Sequence, residues 1–158
     1  SALRLAEEFD LSITIEHCTE GHLILDVLKE RLAKLKAGII LGPLLSERAK
    51  IELKNLSFKA PKLMHEAGIP FALMTDHPVI PIQYLPVCAA LCVREGLSEQ
   101  TALESITINA ARITGLDERI GSLEAGKDAD IALFDAHPLD FRSHCVCTII
   151  NGKIVHKL

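Results

Sequence analysis

Apolar and polar positions along this chain switch repeatedly between the helical period and the strand period. Leu3, Leu5, Ala6 and Phe9 are apolar and Glu7 and Glu8 polar, a spacing that predicts a helix over 3–9, ended by Asp10. Residues 11–16 (LSITIE) are rich in β-branched side chains and read as a strand with His17 at its C-terminal end. Over 20–36, Leu23, Ile24, Val27, Leu28, Leu32 and Leu35 form one stripe opposite Lys29, Glu30, Lys34 and Lys36. That stripe predicts a single amphipathic helix closed by Gly38. Residues 38–42 (GIILG) form a short, wholly apolar strand broken by Gly42-Pro43. The pattern then repeats. A polar connection over 46–57 leads to a helix over 58–67 stopped by Gly68, then to an apolar strand over 70–75 (PFALMT) with Asp76 at its end. Three helices follow: 81–95 closed by Gly96, one capped by Ser98 through 106, and one capped by Thr107 through 113 and stopped by Gly115.

Short apolar strands separated by helices are the signature of parallel strands buried on both faces. A complete (β/α)₈ barrel needs about 250 residues, so the stretch before residue 116 has room for about three βα units. Two architectures satisfy this: a small doubly wound sheet, or part of a barrel. The tail differs. Residues 120–125, 129–135 and 145–158 read as strands, and Asn151-Gly152 between two apolar runs signals a type I′ hairpin. An all-β tail after an α/β body predicts a second structural unit.

Composition narrows the function classes. Acidic and basic residues are interspersed at a formal net charge of -4, without the basic patch of a nucleic-acid footprint. There is one tyrosine, Tyr84, and no tryptophan, which disfavours a stacking surface for single strands. No apolar stretch approaches the roughly 18 residues of a spanning helix, and no basic run suggests a membrane surface. The chain opens on Ser1 in helix-like sequence, without a signal peptide or an initiating methionine, and so reads as a fragment or a processed product. Five cysteines, Cys18, Cys88, Cys92, Cys145 and Cys147, sit inside apolar runs. The expectation is buried free thiols in a reducing cytoplasm. Cys145 and Cys147 lie two apart on a strand, without a second Cys or His pair at a zinc spacing.

Two residues stand out by context. In parallel α/β folds the reactive groups sit at the C-terminal ends of strands, where the βα loops converge. His17 and Asp76 each follow a strand, and a His with an Asp suits a borderline cation such as zinc. The plainer alternative is a helix-capping Asp and a satisfied half-buried His. His22 and His65 lie within predicted helices. His77 is read as a loop residue, Cys18 as packing, and Arg48, Lys50 and Lys54 as a solvated face on a loop long enough to reach a substrate carboxylate.

The tail shifts the balance. Residues 121–135 (GSLEAGKDADIALFD) resemble the C-terminal signature of the amidohydrolase superfamily. Residues 109–115 (NAARITG) resemble that family's preceding helix, and 150–155 (INGKIV) its closing hairpin. Thr75-Asp76 resembles the aspartate after the eighth barrel strand. Ile15-Glu16-His17 resembles the histidine after the sixth, most like the imidazolonepropionase and prolidase-like branches. The resemblance covers essentially the whole chain and does not single out one substrate.

It implies a C-terminal portion of a (β/α)₈ barrel, strands six to eight, over 1–116, and a small β-sandwich segment over 117–158. Segment 38–42 would then be strand seven, lying between the other two, with all three parallel. The implied activity is hydrolysis of a C–N bond in an amide, cyclic amide or amidine by a metal-activated water. Asp76 would ligate a divalent metal, zinc by kind of donor, and move the water's proton to the leaving nitrogen; His17 would ligate metal or stabilise the oxyanion. The family's His-x-His on strand one, its bridging Lys or Glu on strand four and its strand-five histidine have no counterpart here. The expected partners are a small-molecule amide-type substrate and either a second copy or the missing N-terminal half. The competing reading is a truncated folding or assembly fragment without turnover.

Overall fold

A computed structural model describes residues 1–35 and 37–158. The body is built from α1 (Ala2–Glu8), β1 (Ile13–Ile15), α2 (Leu25–Leu32), β2 (Ala37–Leu41), α3 (Ala60–Glu66), β3 (Ala72–Leu73), α4 (Leu85–Arg94), α5 (Glu99–Ser105) and α6 (Ile108–Thr114). The tail contributes β4 (Ile131–Phe134), β5 (Cys145–Ile150) and β6 (Lys153–Lys157). The first three strands form one parallel sheet in the order β1-β2-β3, and the last three an antiparallel meander, β4-β5-β6. The chain is therefore α/β with a separate antiparallel sheet, and segment 38–42 lies between its neighbours as expected.

Pairing puts Ile15 beside Ile39 and Leu41 beside Leu73. Paired residues share a face, and this one is the core. Ile39, Leu41, Phe71 and Leu73 are buried there against Leu28 of α2, Met64 of α3, Ala89 and Cys92 of α4 and Ala102 of α5. The intervening residues take the other face. Thr14 is exposed there, and Ile40 and Met74 are half-buried. Ala72, the partner of Ile40, is buried on this face, and helix α6 covers its N-terminal end. A Cβ on Gly38 would overlap the Ile113 side chain, so α6 lies directly over β2 at that point. The apolar strands predicted a sheet covered on both faces. Among the described residues one face is covered and the other is half open.

Two further expectations are corrected. The stripe over 20–36 is not one helix. Gly21–Leu23 forms a 3₁₀ turn, Ile24 leaves the helical conformation at φ -133° and ψ 36°, and α2 begins only at Leu25. The cause is tertiary. Gly21 is pressed against Cys18, Met64 and Leu28 so closely that a Cβ would meet the Cys18 sulfur at 2.5 Å. That contact ties the post-β1 loop to the core before a helix can start. Lys36, the last residue of the predicted helix, lies outside the described residues. Segment 120–125 is a loop rather than a strand. Gly121 packs on α6, where a Cβ would lie 2.8 Å from that of Ala111. The loop closes on itself through the Asp128 amide donating to the Arg119 carbonyl (2.8 Å) and the Arg119–Asp128 ion pair (2.7 Å).

The predicted hairpin is present. Asn151 (φ 49°) and Gly152 (φ 73°) supply the two positive φ values a type I′ turn requires. The turn docks on the tail signature: the Asn151 amide donates to Asp130 Oδ1 (2.8 Å) and the Gly152 amide to the Ala129 carbonyl (3.1 Å). The tail in turn enters the body's core through Leu139, on the β4–β5 connection. Leu139→Ala is expected to lower stability by about 2–5 kcal/mol, through lost burial and a residual cavity. The readout is a lower urea midpoint with an unchanged slope. A loss within about 0.5 kcal/mol, typical of a surface site, would show that the tail is not anchored there.

Candidate functional site

Because β1, β2 and β3 are parallel and adjacent, His17, Gly42 and Asp76 all leave the same end of the sheet. Each sits at a backbone turn. His17 (φ 65°), Cys18 (φ 43°) and Asp76 (φ 53°) occupy left-handed conformations that are uncommon outside glycine and tolerated best by Asn, Asp and His. Such residues concentrate at functional sites, where the surrounding structure holds them in place.

What holds His17 is Gly42. The His17 ring Nδ1 lies 2.9 Å from the Gly42 carbonyl oxygen, and the Gly42 amide donates back to the His17 carbonyl at 3.3 Å. Asp76 is held by the loop it opens. The Val79 amide donates to the Asp76 carbonyl (2.8 Å) and the Ile80 amide to the Thr75 carbonyl (3.3 Å). Asp76 does not cap a helix: the 3₁₀ turn Ile82–Tyr84 is preceded by Pro81, and α4 by Tyr84. Nor is His17 buried; its side chain is exposed at the sheet's end. Asp76 thus lacks the capping role raised as an alternative, while His17 is satisfied by the Gly42 carbonyl, as the plainer reading of that residue has it.

The remaining sequence candidates sit apart. His77 follows Asp76 and is exposed. His65 is on α3, and His22 on the 3₁₀ turn, with its Nδ1 buried and without a partner. Arg48 donates to the Leu56 carbonyl (2.7 Å), so its guanidinium organises its own loop. Asn55 donates to Glu20 Oε1 (2.7 Å), joining the loops after β1 and β2. Two cavities, of about 510 and 640 Å³, open elsewhere and are lined by neither His17 nor Asp76. Gly42 carries no signal in the sequence beyond a strand-ending Gly-Pro, and sequence reasoning missed its contact with His17.

Among the described residues no three His, Cys, Asp or Glu side chains come together as a metal site. Zinc takes four ligands, or three and a water. His17 and Asp76 therefore do not make a metal site by themselves. The cysteines do not supplement them. Burial raises the Cys18 thiol, which packs against the core. Burial beside Cys88 and Glu95 pushes Cys92 up to about 12. All five cysteines are free. No described helix is long and apolar enough to cross a membrane.

Residues 7–156 match the family described as Amidohydrolase family. Imidazolonepropionase of Streptococcus pyogenes serotype M3 (strain SSI-1) is 28% identical over 153 residues, covering 94% of this chain and 35% of that protein. The structure of an amidohydrolase from Thermotoga maritima MSB8 superposes with a TM-score of 0.93 at 42% identity, over 99% of this chain and 40% of the other. An adenosine deaminase from Xanthomonas campestris, solved with bound zinc, shares the fold (TM-score 0.71, 20% identity, 98% of this chain and 40% of that one). The chain thus spans well under half the length of these relatives.

A thiol-labelling experiment tests the local electrostatics. Cys92 stays protonated in mildly alkaline buffer and resists alkylation in the native chain, becoming reactive only on unfolding. Modification of Cys92 in the native state, localised by peptide mass spectrometry, would contradict the burial assigned to α4.

Proposed function

The chain belongs to the amidohydrolase family, and on that premise we propose that it is part of a metal-dependent hydrolase of C–N bonds in small amides, cyclic amides or amidines. In this reading residues 1–116 are strands six to eight of a (β/α)₈ barrel with their helices, and residues 117–158 a portion of a β-sandwich. His17 and Asp76 are two of the protein ligands to a divalent metal, zinc by their chemistry. Asp76 is also the base that accepts the proton of the attacking water and returns it to the leaving nitrogen.

One observation carries the reading: His17 and Asp76 leave the same end of a parallel sheet with β2 between them. A second supports the barrel. Among the described residues β1 and β3 each pair on one side only, and one face of the sheet is half open. Parallel sheets are otherwise covered on both faces, and closure into a barrel removes open edges. The cytoplasm is the compartment that five free cysteines suit.

Two donors are too few to hold a catalytic zinc, so this polypeptide alone is expected to lack turnover. Purified with added zinc and offered simple amides, dipeptides and cyclic ureides, it should release no product. Zinc-dependent hydrolysis abolished by Asp76→Asn would overturn that expectation. Co-expression with a polypeptide carrying the family's remaining barrel strands should restore activity sensitive to Asp76→Asn and His17→Gln. Its failure, with a folded complex in hand, would count against the hydrolase reading.

The open edges and half-open face also favour an assembly role for the isolated chain. Leu5, Phe9, Leu11, Leu23, Ile24 and Val27, on and around α1 and α2, are about half exposed or more. Apolar surface of this kind drives association. Light scattering on the 158-residue chain should therefore find a self-associated species at micromolar concentration, the range in which exposed apolar surface acts. A stable monomer would argue against it.

A further inference from the structure

We infer that Gly42 is a positioning residue that selects the tautomer of His17 and thereby decides which ring nitrogen faces the site. A carbonyl oxygen only accepts hydrogen bonds. The Gly42 carbonyl lies 2.9 Å from His17 Nδ1, so Nδ1 carries the proton in the neutral ring. Nε2 is left with a free lone pair. This is the reverse of the tautomer that free histidine prefers in water, so the protein imposes it. Carbonyl oxygens that fix the tautomer of a ligating histidine act in this way, orienting the ring.

The carbonyl can do this because it cannot turn away. Gly42 adopts φ +141°, a conformation that L side chains rarely adopt. A Cβ there would overlap the carbonyl oxygen of Met74 on the neighbouring strand. Gly42 is thus pressed flat against the chain that leads, two residues later, to Asp76. The Met74 amide donates to the Leu41 carbonyl (2.9 Å), locking that approach from the adjacent rung. From the other side the Gly42 amide donates to the His17 carbonyl, so the two residues exchange bonds. Gly42 is therefore in direct contact with both strand ends that lead to His17 and Asp76. What the Nε2 lone pair serves rests on the hydrolase reading above; the tautomer itself does not.

The direct test is a long-range ¹H–¹⁵N correlation spectrum of the full chain at mildly alkaline pH, with the His17 ring assigned by its loss in His17→Gln. The expected result is a protonated, pyrrole-type Nδ1 and an unprotonated, pyridine-type Nε2. A protonated Nε2, or an even mixture, overturns the inference. In a folded Gly42→Ala variant the His17 signals should move toward the free-histidine pattern. Gly38→Ala is the control, because it strains the same strand against Ile113 without touching His17; it should leave the pattern unchanged. An unchanged tautomer in folded Gly42→Ala also overturns the assignment. Should Gly42→Ala not fold, the parent spectrum still decides. Failure of the reconstituted enzyme to bind zinc while Nε2 remains unprotonated would defeat the hydrolase reading and leave this inference standing.

Discussion

Everything in the body hangs from the hydrogen bonding of β2 on both of its edges. Ala37–Leu41 pairs with β1 through its first three residues and with β3 through its last two. The sheet is staggered, and neither neighbour would lie parallel to the other without it. Ile39 and Leu41 contribute from this strand to the same core cluster as buried residues of α2, α3, α4 and α5. Gly38 within it and Gly42 just past its end mark where neighbours come close. Gly38 admits α6 over one face, and Gly42 admits the Met74 carbonyl at the strand's end. Both replace a side chain with direct backbone contact, so β2 sets the spacing of the sheet as well as its order.

That spacing has a chemical consequence. A strand's last residue is usually free to diverge into its loop. Here the exchange of hydrogen bonds between His17 and Gly42 holds the ends of β1 and β2 together past the last ladder pair. The contact with Met74 does the same for β2 and β3. Three βα connections are gathered at one end, where His17 and Asp76, residue types that tolerate left-handed backbone, are held by Gly42 and by the Val79 and Ile80 amides respectively. The Asn55–Glu20 hydrogen bond spans two of the same loops farther out.

The tail is attached by packing and by polar contacts of different kinds. Leu139 contributes apolar burial inside the body. Gly121 lets the connecting loop lie on α6. Asp130 accepts the Asn151 amide, so the signature loop and the closing hairpin bind each other. Three positions of the motif, Gly121, Asp128 and Asp130, are thereby accounted for as loop packing, loop closure and turn docking. Asp140, held at about 2 by the Arg142 guanidinium, accepts the Arg142 amide and its side chain and organises the connection that carries Leu139.

The sequence by itself determined the alternation of elements, the places where strands end and the identity of the two residues at those ends. These follow from periodicity and from chain breaks at Gly and Pro, which act over a few residues and are written locally. His17, Asp76 and the Asn151-Gly152 turn were all legible on that basis. Tertiary structure alone decided where the 20–36 stripe breaks, because the break comes from Gly21 meeting Met64, a residue more than forty positions away. It alone turned 120–125 from strand to loop, because Gly121 is held by α6 and Asp128 by Arg119. It alone left one face of an apolar sheet half open. And it alone made Gly42 the partner of His17, since a glycine carries no side-chain signal and its role lies in the direction its carbonyl is forced to take.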